Sequence, residues 1–261
     1  MIPGSFEYHA PASLDETIAL LARHKDDAKI LSGGQSLIPL MKLRLAGPAH
    51  IIDINRVTGL DTLAESDGAL RIGALVRNLA TVCGNLAHGD PANDHPATMI
   101  ALGAEVVARG PKGERRVPVA SFFQGPFTTS LEPDEVLVEV RVPKPPPRSG
   151  GAYLKLERKV GDFATAGVAV QITLAANGTC ERASVGLTNV GPTPIEASRA
   201  ASFLKGKALD AEAMKKASEL AAEQAEPTAD GRGSVAYKRD LVRVLTVRAL
   251  KKALERASSG S

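Results

Sequence analysis

Ala28-Lys29-Ile30-Leu31-Ser32-Gly33-Gly34-Gln35-Ser36-Leu37 runs a short apolar segment into a double glycine and then into residues at helical spacing, Leu37, Leu40, Met41 and Leu45. This is the pattern of a strand, a glycine turn and a helix. Gly33 and Gly34 have no Cβ, so a ligand can approach the backbone closely, while Gln35, Ser36 and successive N–H groups can donate to phosphate oxygens. The loop is not a P-loop, because no Gly-Lys-Ser or Gly-Lys-Thr follows, and it lacks the spacing of the Rossmann fingerprint. A second stretch, Thr81-Val82-Cys83-Gly84-Asn85, offers the same ingredients. Two such bends could clamp one diphosphate from opposite sides, whereas either alone reads first as a plain turn between elements.

The flanking segments place these bends. Ser13-Leu14-Asp15-Glu16 has the form of a capping box and predicts a helix to about Lys25. His50 to Ile54 reads as a strand, Leu60 to Ala64 with Leu70 to Ile72 as a hairpin turned at Asp67-Gly68, and Pro96 to Leu102 as a helix. Glu105 to Ala108 and Arg116 to Val119 predict a second hairpin, and Glu135 to Val142 a strand ended by proline. Pro143 to Pro147 with Ser149-Gly150-Gly151 reads as a linker. Beyond it come strands at Val168 to Leu174 and Ala183 to Leu187, joined through Asn177-Gly178, then helices at Asp210 to Ala225 and Tyr237 to Ala257. The fold class is α+β, with one domain over residues 1–150, in subdomains of about 1–56 and 57–150, and another over 151–261.

Composition narrows the function. Hydrophobic residues at 44% and charged residues at 23% are ordinary for a globular chain, and no apolar run approaches the ~20 residues of a membrane span. Two cysteines, Cys83 and Cys180, in 261 residues suit a reducing cytoplasm. The net charge of +3 comes from 32 Lys+Arg dispersed among 29 Asp+Glu, and with no tryptophan and 3% aromatics there are few stacking platforms, which argues against nucleic acid. His88, Asp90, Asp94 and His95 are metal-ligand types, but their spacing matches no metal signature and their loop is rich in Gly, Pro and Asn, where Asp closes turns and caps helices. No metal ligand is expected.

Ser32-Gly33-Gly34-Gln35-Ser36-Leu37-Ile38-Pro39-Leu40-Met41-Lys42 resembles the first FAD loop of the molybdenum hydroxylase flavoproteins. The stretch from Thr81 through Asp90-Pro91-Ala92-Asn93-Asp94 resembles their second, and Lys159-Val160-Gly161-Asp162-Phe163-Ala164-Thr165 the segment near the flavin ring. The likeness runs from Pro3-Gly4-Ser5-Phe6 through Gly186-Leu187-Thr188-Asn189-Val190 to Asp230-Gly231-Arg232-Gly233, nearly the whole chain, and is greatest for the carbon monoxide dehydrogenase type. It implies a two-subdomain FAD-binding domain with a smaller C-terminal α+β domain, in the medium subunit of an oxidoreductase. It also implies FAD in this chain, 2Fe-2S clusters in an iron–sulfur small subunit, and the molybdopterin cofactor in a large subunit that oxidises the substrate. The implied assembly is a cytoplasmic dimer of heterotrimers, including at the inner face of the membrane, that passes electrons to an external acceptor such as a quinone.

Carried over by position, the resemblance assigns Ser32, Gly33, Gly34, Gln35, Ser36 and Leu37 with Thr81, Cys83, Gly84 and Asn85 to the pyrophosphate, and Asp94 to the adenosine side. Leu137 and Lys155 would lie along the cofactor, and Asp162 and Phe163 near the ring; no residue is assigned a catalytic role. Phe163 stands where the family often has tyrosine, so it can pack but cannot hydrogen-bond. Ala80 and Cys83 replace usual glycines, and Arg77 joins Asn78 where family members carry a further, mostly helical stretch. The rival readings are the FAD subunit of a xanthine or other heterocycle dehydrogenase, a stand-alone FAD oxidoreductase, and a scaffold that has lost FAD.

Overall fold

In the computed structural model, which describes residues 3–77 and 80–259, the chain divides into two units. One is built from 1–88, 105–117 and 129–142, the other from 89–104, 118–128 and 143–261. The chain crosses between these units repeatedly.

In the first unit, β1 (Glu7–His9), α1 (Leu14–His24), β2 (Ala28–Leu31), α2 (Leu37–Lys42) and β3 (His50–Asp53) form a parallel sheet in the order β1-β3-β2 with its connecting helices. The capping box works as read: Ser13 Oγ accepts the Glu16 N–H at 3.2 Å, and the Glu16 carboxylate reaches back to the Ala12 N–H at 3.0 Å. α2 stops short of Leu45 because Arg44 turns left-handed (φ 58°) and the Leu45 N–H returns to the Leu40 carbonyl. β4 (Leu63–Ser66) and β5 (Ala69–Gly73) meet at Asp67 (φ 53°) and Gly68 (φ 72°), the paired positive angles of a tight hairpin.

Next in the chain are α3 (Val82–His88) and α4 (Asp94–Ala101), then β6 (Glu105–Gly110), β7 (Gly113–Pro118), β8 (Phe123–Gly125), β9 (Thr128–Thr129) and β10 (Val136–Pro143). Strands β4-β5-β10-β6-β7 make the second sheet of the first unit. Its central strand β10 is buried from Val136 to Val140, as expected of a strand flanked on both sides. α3 was not expected: Val82 to Asn85 read as loop, but the Asn85 N–H bonds to the Thr81 carbonyl at 3.0 Å and starts a helix there.

The second unit is a four-stranded antiparallel sheet, β11 (Ser149–Leu156), β12 (Ala166–Leu174), β13 (Cys180–Thr188) and β14 (Ile195–Glu196), with α5 (Ser198–Leu204), α6 (Ala211–Gln224) and α7 (Val235–Ser259). Ser149, Gly150 and Gly151 are strand, not linker. A Cβ at residue 150 would stand 2.1 Å from the Ala253 carbonyl oxygen of α7, and one at 151 would stand 2.2 Å from the Gln171 side chain. Close approach rather than flexibility explains these glycines. On β12, Val168, Val170, Ile172 and Leu174 belong to the core shared with α6 and α7, while Ala169 faces Ala97 and Ala101 of α4. The sheet is thus covered on both faces, and each buried aliphatic side chain contributes about 1.5–3 kcal/mol.

Candidate functional site

The two glycine bends lie side by side in the first unit. Ser32 Oγ donates to the Ala74 carbonyl at 3.0 Å and stands 3.2 Å from Thr81 Oγ1. A Cβ at Gly33 would be 3.0 Å from the Thr81 nitrogen, and one at Gly84 would be 2.5 Å from Thr81 Oγ1. Thr81, 1% exposed, is therefore the wedge on which both bends close, and only glycine allows the distance. Gly34 has φ +75°, which turns the chain into α2. The first intrahelical bond of α2 is Ile38 N–H to the Gly34 carbonyl, so the N–H groups of residues 35 to 37 precede the ladder. Asn55 Nδ2 holds the Ser32 carbonyl at 3.1 Å, and the Arg77 guanidinium bonds to Asn55 Oδ1. Backbone donors and a guanidinium gathered at glycines match what a diphosphate requires.

Cys83 contributes backbone only. Its side chain is 2% exposed, with Sγ 3.5 Å from the Ile72 carbonyl, and burial pushes the thiol far above its ordinary range. The replaced glycine thus takes no space at the bend. Leu137, 5% exposed on β10, is a core residue of the five-stranded sheet. Leu37 opens α2 and is half-buried, beside the exposed Gln35.

The remaining expected residues meet in the second unit. Asn93 supplies the N-cap of α4 and Asp94 begins it, but the Asp94 carboxylate is turned to other partners. It accepts from Tyr153 Oη at 2.7 Å and from Lys155 Nζ at 2.8 Å. Lys155 also meets Glu157 at 2.9 Å and the Asp162 carbonyl at 2.9 Å. Burial disfavours the ammonium, but the bonds to Asp94 and Glu157 outweigh it and hold the Lys155 pKa above its ordinary value. Burial first, then the bond to Asp94, drives the Tyr153 phenol upward. Asp162 is held below the usual carboxylate range by the Phe163 N–H (2.8 Å), with Arg232 and Arg158 adding to it. Arg232 also donates to the Phe163 carbonyl at 2.5 Å, and its guanidinium lies 6.0 Å from the centre of the Phe163 ring, which is half exposed.

The resemblance sent Asp94 to the adenosine side and Asp162 and Phe163 to the ring; the Lys155 ammonium bonds to the Asp94 carboxylate and to the Asp162 carbonyl. Sequence reasoning missed Tyr153, Glu157, Asn55 and the contacts that Arg232 makes to the Asp162–Phe163 segment. Only Arg232 lay within a segment the resemblance had marked. Asp90 closes its own turn by accepting the Ala92 N–H at 2.9 Å.

The sequence matches the family model described as the FAD binding domain in molybdopterin dehydrogenase over residues 4–77 and 75–145, and the CO dehydrogenase flavoprotein C-terminal domain over 151–253. It is similar to the carbon monoxide dehydrogenase medium chain of Afipia carboxidovorans, 40% identical over 289 positions covering 99% of this chain and 100% of that one. The medium chain from Hydrogenophaga pseudoflava is 42% identical over 288 positions, covering 99% and 100%. Among solved structures, a carbon monoxide dehydrogenase from Hydrogenophaga pseudoflava lacking the Mo-pyranopterin moiety of its cofactor superposes with a TM-score of 0.94 at 43% identity. It covers 98% of this chain and 99% of that chain. An alignment of 289 positions against 261 residues leaves roughly thirty positions unmatched here, and the two pieces of the FAD-domain match meet at 75–77. That break lies beside Arg77; Asn78 falls outside the described residues.

Proposed function

The chain belongs to the FAD-binding flavoprotein subunits of the molybdopterin dehydrogenases, and from that premise we propose that it is the electron-exit subunit of a complex that oxidises carbon monoxide. The observation that carries this reading is the pair of glycine bends closed on Thr81, set in a chain similar from end to end to carbon monoxide dehydrogenase medium chains. Bound FAD accepts electrons singly and releases them in pairs, which suits the step between iron–sulfur clusters and a two-electron acceptor.

This chain's residues bind and orient. Backbone N–H groups at 33 to 37 and at 83 and 84 would donate to the diphosphate, and the Arg77 guanidinium would offset its charge. In the second unit, Lys155 and Arg232 fix the segment around Asp162 and Phe163. None of these groups is arranged as a base or nucleophile toward a substrate, which fits oxidation in a molybdopterin large subunit whose electrons reach this chain through a 2Fe-2S small subunit. The proposed assembly is a cytoplasmic dimer of heterotrimers with a quinone-like acceptor.

The test is purification of the chain with its co-expressed partners, followed by flavin content per chain, subunit identification and absorbance on adding carbon monoxide. One FAD per chain, bleached by carbon monoxide, is the expected result. Bleaching by a purine or another heterocycle, with none by carbon monoxide, would move the assignment to the heterocycle dehydrogenases. The break at 75–77 favours a second reading, a scaffold without FAD, which intact assembly with no flavin would establish.

A further inference from the structure

Three of the chain's five histidines converge in the first unit, although at positions 9, 24 and 50 they form no spacing motif. The topology brings them together. His50 opens β3 and is paired with Glu7 of β1, so their side chains share a face of the sheet, and His9, two residues on, points the same way. α1 packs over β3 and ends in His24, which it delivers to that face. The cluster lies at the N-terminal ends of β2 and β3, opposite the end from which the Ser32–Ser36 bend leaves. It is therefore separate from the diphosphate donors.

The donor atoms are spaced for a cation. His9 Nε2 and His50 Nδ1 are 3.1 Å apart, and Glu7 Oε2 lies 3.4 Å from His50 Nδ1 and 3.9 Å from His9 Nε2. The ligand nitrogens of all three histidines fall within 4.8 Å of one another. In a tetrahedral site with bonds of about 2.0–2.1 Å, ligand atoms stand roughly 3.3 Å apart. The His24 ring lies against that of His50, with centroids 3.7 Å apart. The imidazoles are half-buried, while Glu7 is 73% exposed and open to an ion from solvent. Three imidazoles and one carboxylate suit zinc, cobalt or nickel; magnesium and calcium prefer oxygen ligands.

We propose that His9, His24, His50 and Glu7 form a binding site for a borderline divalent transition-metal ion that clips β1 and the end of α1 to β3. β1 has three residues and pairs only with β3, so a cross-link to α1 adds a second anchor. Binding of this kind selects the folded chain and raises its melting temperature.

The test uses the full chain, stripped with a chelator and titrated with zinc by calorimetry, with metal content measured after gel filtration. One zinc per chain is expected, with a higher melting temperature in zinc, no response to magnesium, and a cobalt form with the visible spectrum of a tetrahedral site. His24→Gln and Glu7→Gln, each checked by circular dichroism and by melting in chelator, should weaken zinc binding at least about tenfold. Wild-type chain that retains no zinc, or His24→Gln chain that is folded and binds zinc as the wild type does, would overturn the proposal.

Discussion

Gly33→Ala puts the glycine bends to a quantitative test. The new methyl carbon would stand 3.0 Å from the Thr81 nitrogen, 3.4 Å from its Cγ2 and 3.5 Å from its Oγ1. Such pairs rest comfortably at roughly 3.5 Å, so the bends must part by about half an ångström. Thr81 is 1% exposed and in contact with Ser32, so the strain has no idle side chain to move, and overpacking of this kind costs about 1–3 kcal/mol. The same half ångström would cost a bound diphosphate a charge-assisted bond worth about 1.5–3 kcal/mol, or roughly 10- to 100-fold in affinity. Fluorescence titration of deflavinated chain with FAD, paired with melting in its absence, separates the two effects. If Gly33→Ala lowers the melting temperature by several degrees and leaves FAD affinity unchanged, the bends touch one another but do not hold the cofactor.

Gly150→Ala would drive a methyl to within 2.1 Å of the Ala253 oxygen and 2.5 Å of the Ala257 nitrogen, backbone atoms of α7, and should cost more than about 3 kcal/mol in denaturant unfolding. A loss under about 1 kcal/mol would refute the close approach. Burial works against ionisation of Glu139, but hydrogen bonds from Arg71 and Arg141 outweigh it and depress its pKa, as Arg115 does for Glu135. Their stabilisation is therefore complete above the ordinary carboxylate pKa of about 4.3 and is lost as pH falls through the folded values. Melting from pH 7 down to about 3 should show a decline that Glu139→Gln makes shallower; an unchanged slope would contradict the pairing. Burial pushes the Cys180 thiol up to about 11 and Cys83 higher still, so a disulfide reagent should label neither in native chain and both after unfolding.

How far the sequence could be read depended on how local the cause was. Ser13 and Glu16 make their own cap, and Asp67-Gly68 and Asn177-Gly178 turn by their own backbone preferences, so those elements were visible in a few letters. Gly150 and Gly151 misled because the same residue type marks a flexible linker and a crowded strand, and the deciding contacts are distant in sequence, α7 for Gly150 and Gln171 of β12 for Gly151. Thr81 was read as a donor, but its role as the wedge between two bends depends on a contact 49 residues away. The Asp94–Lys155–Asp162 bridge was hidden for the same reason: three charged residues on three segments carry no mutual spacing. His9, His24 and His50 stand on three separate elements and likewise carry no mutual spacing, whereas His88 and His95 are near one another in sequence alone.

The placement of α4 bears on how this polypeptide matures. It emerges early from the ribosome, within the stretch that matches the FAD-binding domain, yet Ala97 and Ala101 are buried against Ala169, which is translated some seventy residues later. Until then its apolar side has no resting place, and the earlier sheet must close around a detour. Cutting the gene at the prolines after β10 would yield an N-terminal half with an orphaned helix and a C-terminal half with one bare sheet face. The halves should stay soluble only when synthesised together.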